Sequence, residues 1–515
     1  MHSRVWMGWS TVLVLASAAC GDSSGTSEAS ASGTQGSTGA TVASATEAPS
    51  TMTGTGDTPT TTPTGSASDS VGMTTTTNDP TMTGSPTSST TVDPTATATT
   101  NDPSTTTGGT TSGVLPDTST GSTGEPASTS TGMAGSSSTG EKPPCEPGDG
   151  MGMGMVEKSF IWIASQNTSD VSKVDTKTMT ELARYRTGGS GNESPSRTAV
   201  SADGRYVVVN NRQTGRSTMI AANAEDCPDK NGNGMLDSSQ NKNNLLAFGA
   251  DECVRWSITL PFLGAWDDGP RGVTWTPGTW DYDQCKYVEP KVWIGYMSNA
   301  GGETVHLIRV DGETGAIEQT IPVPGWNGSG FAPYGAALDP AFRPWFSSLR
   351  GEFVRVNTDQ NPITVTRYTP PGNVQSYGFT VDQDGNPWFG GNCGPVTTFD
   401  VKNQAYVSVP GLNGCWRGVA ADEKYVWVAN NSPCGFAQID RATRTLIKNW
   451  NTNPCSTAIG FSIDAEKFVW LVDQGGWAWK FDPENVGGMM KVDVLGQHYV
   501  YSDMTGGQVN SILPQ

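Results

Sequence analysis

The sequence predicts an all-β protein: a seven-bladed β-propeller, circularly closed by its own C-terminal strand and preceded by a disordered stalk. Three observations predict it. An apolar strand with a central aromatic recurs seven times across residues 156–515. A second strand element, with the character of a blade's innermost strand, also recurs seven times but out of phase with the first. Residues 21–150 hold almost nothing that could join a core.

The amino-terminal segment reads as an export signal. His2 and Arg4 precede an apolar run from Val5 to Ala16. A membrane-spanning helix needs roughly 20 apolar residues, so this run is too short, and its flanks are those of a signal peptide over 1–19. Small residues Ser17, Ala18 and Ala19 lead directly to Cys20. That arrangement resembles the lipobox of bacterial lipoproteins, with Ser17 where Leu is commonest. The resemblance implies a lipidated Cys20 and an exported protein anchored to a membrane, at the outer membrane and periplasm or the cell surface. Several acyl chains anchor stably where one does not.

Residues 20–150 form the stalk. From Gly21 onward it has no Phe, Trp or Tyr, and Leu115 is its one Leu. Thr, Ser, Gly, Ala and Pro recur in near-repeats such as Thr-Asn-Asp-Pro at 77–80 and 100–103. Such a chain cannot bury enough apolar surface to offset the entropy of ordering. It also carries 13 acids against Lys142, which contributes -12 to the net charge of -19. The acidity is therefore mostly a property of the stalk. It excludes nucleic acid as a partner and says little about the folded domain.

Residues 151–515 form the propeller. The aromatic strand appears at 160–164, 206–210, 292–295, 344–347, 387–390, 426–429 and 469–472. The last five copies are spaced close to the 40–50 residues of propeller blades. Third strands follow most of them and end near an Asp or Asn: Asp175, Asp311, Asn357, Asp400, Asp440 and Asp482. Inner strands begin at Pro195, Pro270, Pro333, Ser376, Trp416, Ala458 and Tyr501. The first aromatic strand has no inner strand before it, and the last inner strand has no aromatic strand after it. Circular closure through Tyr501–Thr505 resolves both ends and removes an open edge.

The unit Tyr377-Gly-Phe-Thr-Val-Asp-Gln-Asp-Gly-Asn-Pro-Trp-Phe389 resembles the repeat of virginiamycin B lyase-like propellers and of the wider NHL and YVTN groups. The resemblance covers most of 156–515. It implies a fold more than a function, because this scaffold hosts enzymes and binding proteins alike. The lyase opens a cyclic ester by proton abstraction with His, Glu and magnesium. The propeller has two His, His306 and His498, and neither maps onto a catalytic pair.

An insertion at about 225–255 carries Asp229-x-Asn231-x-Asn233-Gly234-Met235-x-Asp237. Hard cations take oxygen ligands, and alternate residues of a tight loop turn theirs inward. Asp229, Asn231, Asn233 and Asp237 would supply side chains and Met235 its carbonyl. Gln240 stands where an EF-hand has Glu, so Asp226, Asp251 or Glu252 would complete the shell. The expected cofactor is calcium in a structural role. Beyond Cys20, eight Cys remain, an even number that favours disulfides in an exported chain. Proximity pairs Cys227 with Cys253, Cys393 with Cys415 and Cys434 with Cys455; elimination leaves Cys145 with Cys285.

Propellers bind ligands where loops enter the inner strands. The repeat places Arg197, Arg271, Tyr334, Tyr377, Arg417, Ile459 and Ser502 there. Three Arg and two Tyr make a ring suited to an anionic or sugar-like ligand, since Arg forks match carboxylate and phosphate. The same Arg would otherwise serve as structural groups, paired with Asp or packed under Trp416. No nucleophile, base and orienter stand at an interpretable spacing. The function expected is a membrane-anchored binding module for a protein, glycan or small molecule. The alternative is a metal-assisted lyase or lactone hydrolase.

Overall fold

The computed structural model describes residues 145, 147, 158–262, 268–298, 304–326, 331 and 333–512. The signal peptide, Cys20 and the stalk as far as residue 144 lie outside them. Every described residue belongs to one compact unit within 129–515.

Among the described residues seven antiparallel blade sheets follow one another along the chain, with an eighth sheet of two strands inserted in blade 3. Blade 2 is a four-stranded meander of Pro195–Val200, Tyr206–Asn211, Arg216–Ala221 and Val254–Thr259. Blades 4 to 7 repeat that order, with inner strands Gly335–Leu338, Gly378–Val381, Trp416–Ala421 and Ala458–Ile463. Blade 3 has its inner strand at Val273–Thr276 and an extra hairpin, Thr279–Asp281 with Lys286–Val288, before its second strand. Blade 1 has three regular strands, beginning with Phe160–Ser165.

The C-terminal segment completes blade 1 as the repeat predicts. Trp162 N–H donates to Met504 O at 2.9 Å, Tyr499 N–H to Ala164 O at 3.1 Å, and Gln166 N–H to Gln497 O at 3.0 Å. Ser502 Oγ clasps blade 2, accepting from Thr198 N and donating to Thr198 O. On the other side Met504 N–H donates to Ser462 Oγ of blade 7. The ring is thus closed without a free edge at this seam.

The repeat also explains how inner strands crowd around the axis. Gly272, Gly335, Gly378, Gly418 and Gly460 occupy equivalent places. A Cβ on Gly378 would lie 2.2 Å from Arg417 O, and one on Gly460 2.1 Å from Val500 O. Any side chain there would push blades apart.

In blades 4 to 7 the aromatic strand is anchored by the acid that follows the inner strand. Asp339, Asp382, Asp422 and Asp464 accept from the indole Nε1–H of Trp345, Trp388, Trp427 and Trp470, at 3.0, 2.8, 2.7 and 2.9 Å. The same carboxylates accept backbone N–H groups of the intervening turn, as Asp464 does from Glu466 and Phe468. One residue therefore fixes both the turn and the position of the core indole.

Inner strands start on the upper face and end on the lower. A short helix, Gly507–Ile512, lies across the lower end of the axis. Its Val509 packs with Ala199, Val273 and Leu338, and Gln508 Nε2–H donates to Thr380 Oγ1. Neither this helix nor the blade 3 hairpin is signalled by the repeat. Among the described residues no helix is long and apolar enough to cross a membrane.

All four expected disulfides form: Cys145–Cys285, Cys227–Cys253, Cys393–Cys415 and Cys434–Cys455. The last two join blades 5 to 6 and 6 to 7 on the upper face. The first two lie on the lower face, one closing the insertion and one tying residue 145 to the blade 3 hairpin. Four disulfides mark an extracytoplasmic protein, because reducing compartments rarely keep them.

Candidate functional site

The residues expected at the channel mouth come together at the upper part of the axis. Tyr334, from the loop entering blade 4, and Tyr377, from blade 5, meet Tyr499 and Tyr501 of the closing segment. Tyr499 Oη lies 3.1 Å from both Tyr334 Oη and Tyr377 Oη, and 3.0 Å from Tyr501 Oη. Tyr501 Oη–H also donates to Tyr334 Oη. All four rings are buried in one cluster that includes Ile459. The four hydroxyls thus form one hydrogen-bonded quartet.

Guanidinium groups surround this layer. The Arg197 carbon Cζ stands 3.3 Å from the Tyr501 ring centre and 4.7 Å from that of Tyr334. Arg271 lies 4.9 Å from the Phe331 ring centre and Arg212 4.1 Å from that of Tyr499. Arg417 lies 4.1 Å above the Tyr377 ring, and its Nη1–H donates to Asn392 Oδ1 at 2.7 Å. Burial, and next the charge of Arg212, hold Arg271 down at about 10. Guanidinium on aromatic faces is favourable, the more so when desolvated.

The expected pairing of these Arg with Asp does not occur at Arg197 or Arg417; among the described residues neither makes an ion pair. They stack on Tyr, not under Trp416. Ser502 does not join the tyrosine layer; it lines the small cavity below it. Alternation along the closing segment turns Tyr499 and Tyr501 inward and Ser502 toward blade 2. Tyr499 and Arg212 are the residues that the repeat did not single out. The two-residue spacing of Tyr499 and Tyr501 was the available signal, since residues two apart share a strand face.

One step down the axis a small cavity is lined by Ala336, Phe379, Val419, Phe461 and Asp503, among others. Asp503 Oδ1 accepts from Gly506 N–H at 2.8 Å and Thr505 N–H at 3.2 Å. Burial pushes its carboxyl up to about 6.

The insertion between Ala221 and Val254 forms the expected tight loop on the lower face. Asp229 accepts from Gly232 and Gly234 N–H at 2.6 and 2.8 Å, with both glycines at positive φ. Asn231 and Asn233 amides both donate to Asp237 Oδ2, at 2.7 and 2.9 Å. The four side chains thus converge. Met235 directs its side chain to solvent, leaving its backbone to the loop. Of the three acids considered for completing a shell, Glu252 engages this loop, accepting from Lys230 and Asp237 N–H. Asp226 is bound to Arg205, and Asp251 to Ser238 and Ser239. Cys434, Cys455 and Asp473 also lie together, but both sulfurs are in a disulfide.

The two His lie apart from each other. His306 stacks on Tyr296 on the third strand of blade 3. His498 is buried in the closing segment with Nδ1 2.8 Å from Asp473 O.

No family model and no curated protein matches the chain. Several solved structures resemble it. Periplasmic gluconolactonase PpgL of Pseudomonas aeruginosa is 12% identical, with a TM-score of 0.45 over 67% of this chain and 97% of that one. Apo AztD of Citrobacter koseri is 10% identical, with a TM-score of 0.43 over 67% and 97%. A functionally unknown protein of Desulfotomaculum acetoxidans is 12% identical, with a TM-score of 0.44 over 67% and 98%. These are likenesses of fold alone; the blade count rests on the sheets themselves.

Proposed function

We propose that this protein is an extracytoplasmic binding module, lipid-anchored through Cys20, that takes a small anionic or sugar-like ligand at the upper mouth of its propeller. One observation carries the reading. Polar side chains from blades 2 to 6 and the closing segment converge on the axis, where the Arg have aromatic partners and, among the described residues, Arg197 and Arg417 pair with no acid. A desolvated guanidinium of this kind favours an incoming acceptor. The test is binding of carboxylates, phosphates and neutral sugars to the mature full-length protein by calorimetry. Arg417→Ala and Tyr377→Phe should weaken the bound class at least tenfold, while the lower-face variant Asp229→Ala leaves it unchanged. Equal binding by all three variants refutes a mouth site. Radiolabelled lipid precursor should enter the wild type and not Cys20→Ala; equal labelling refutes the anchor.

We also propose that the 229–237 loop holds calcium. Its side chains and glycine turns fit an oxygen-seeking cation once the two Asn amides, which aim Nδ2 at Asp237, turn to present Oδ1. Calcium would rigidify the insertion. Addition of a chelator should hasten proteolysis between Cys227 and Cys253 and leave the propeller intact; an unchanged cleavage rate refutes it.

A further inference from the structure

The site is built around Arg197, and the disposition of its nitrogens is specific. The residue is fully buried in the inner strand of blade 2. Its Nη1–H donates to Ser196 O at 3.1 Å. Its Nε and Nη2 are buried too, and no group of the described chain accepts from either. These two nitrogens share one edge of the planar guanidinium. Their N–H bonds are parallel, and that edge is the fork that receives both oxygens of a carboxylate.

Leaving such a fork unmatched is costly, since a buried charged donor without an acceptor loses its hydration and gains nothing in return. Nearby groups offer no remedy. The tyrosines meet Arg197 through their ring faces, and Asp503 gives its Oδ1 to the turn before the C-terminal helix. The stacking of Arg197 on Tyr501 fixes the plane of the guanidinium and therefore the direction of the fork. Arg271, some way round the ring, adds positive potential without competing for the same two oxygens.

We infer that the ligand's recognised group is a carboxylate, held side-on by Arg197 Nε and Nη2 against the tyrosine layer. The inference rests on the binding reading above and names its chemistry. A carboxylate has two coplanar oxygens, which the fork satisfies in full. A phosphate brings further charged oxygens, which the two parallel N–H groups of one fork leave unmatched. A neutral amide matches the shape but offers one acceptor where two are needed, and its NH2 would face the fork.

The test uses the mature full-length protein with acetate, acetamide and inorganic phosphate as probes. Binding is read by line broadening of the probe in NMR and by the thermal midpoint. Acetate should bind saturably, acetamide at least tenfold more weakly, and phosphate should not displace acetate. Arg197→Lys keeps the charge and removes the fork, so it should lose acetate binding tenfold or more. If that variant misfolds, the acetate-to-acetamide ratio on the wild type still decides. Equal response to acetate and acetamide, or displacement by phosphate, overturns the carboxylate assignment. If phosphate or a neutral sugar instead binds in a manner sensitive to Arg417→Ala, the mouth remains a binding site and only the carboxylate falls. If no probe depends on mouth residues, both readings fall.

Discussion

Arg197 and Tyr501 are in face-on contact, guanidinium carbon to ring centre 3.3 Å, and they sit on opposite sides of the seam where the ring closes. Blade 2 and the closing segment are therefore held by more than strand pairing. Tyr501→Phe keeps the ring and removes the hydroxyl bonds to Tyr334 and Tyr499, which should cost about 1 kcal/mol. Tyr501→Ala removes the stacking surface as well and should cost roughly 3–5 kcal/mol, as other large-to-small aromatic changes do. Urea denaturation of both variants separates the two contributions. Equal losses would show that the ring contact contributes nothing.

Asp464 carries more than its turn. Besides Trp470 it receives Lys480 Nζ at 3.1 Å, and both residues are buried. Asp464→Ala should destabilise by roughly 3 kcal/mol, because it leaves the buried ammonium with only the more distant Glu466 carboxylate, at 3.7 Å, and the Thr176 carbonyl. Adding Lys480→Met to that variant should recover part of the loss. A double variant no better than the single one would place the cost in the turn and the indole bond instead.

Two buried groups on the closing segment push the pH profile in opposite directions. Burial holds His498 down at about 4, against an ordinary value of 6.5, so its folded form resists protonation. Its contribution is present above pH 6.5 and is lost as pH falls toward 4. Asp503 is raised to about 6 from 3.8, so its folded form prefers the proton. That contribution favours the fold below pH 4 and is lost as pH rises through 6. Between pH 4 and 6 they oppose. Asp503→Asn should therefore unmask a melting temperature that climbs across this window more steeply than in the wild type. A profile unchanged by the substitution would contradict the assignment.

The disulfides should divide by location. Cys393–Cys415 and Cys434–Cys455 span neighbouring blades, and removing either as a Ser pair should lower global stability by roughly 3 kcal/mol on a chain-entropy basis. Cys227–Cys253 closes only the insertion. Its removal should leave the thermal midpoint nearly in place while exposing the loop to trypsin at Lys230 and Lys242. Equal shifts of the midpoint for all three pairs would contradict this division.

The blades were legible because each repeats the same physical solution. Asp at the end of an inner strand, Trp five or six residues on, and Gly at the crowded inner position are local requirements, so they recur at readable spacing. The mouth was legible for the same reason at Arg197, Arg271, Tyr334, Tyr377 and Arg417. What Arg197 would pack against was not, because Tyr499 and Tyr501 reach it only after the chain has gone round the whole ring. The blade 3 hairpin and the helix Gly507–Ile512 escaped because each occurs once and no repeat announces it. Disulfide partners were readable where the two Cys flank a single blade junction or loop. The Cys145–Cys285 pair rested only on elimination, being 140 residues apart.

That last bond has a mechanical meaning. Tension arriving along the chain from its amino-terminal side meets Cys145 before it meets Phe160. The disulfide delivers the load to Cys285 in the blade 3 hairpin, and Trp280 Nε1–H holds the carbonyl of Cys145 at 3.1 Å beside it. Blade 1 and its hydrogen-bonded seam are thereby bypassed. A covalent link takes the strain, and the one junction of the ring made without a continuous chain is spared from being peeled open.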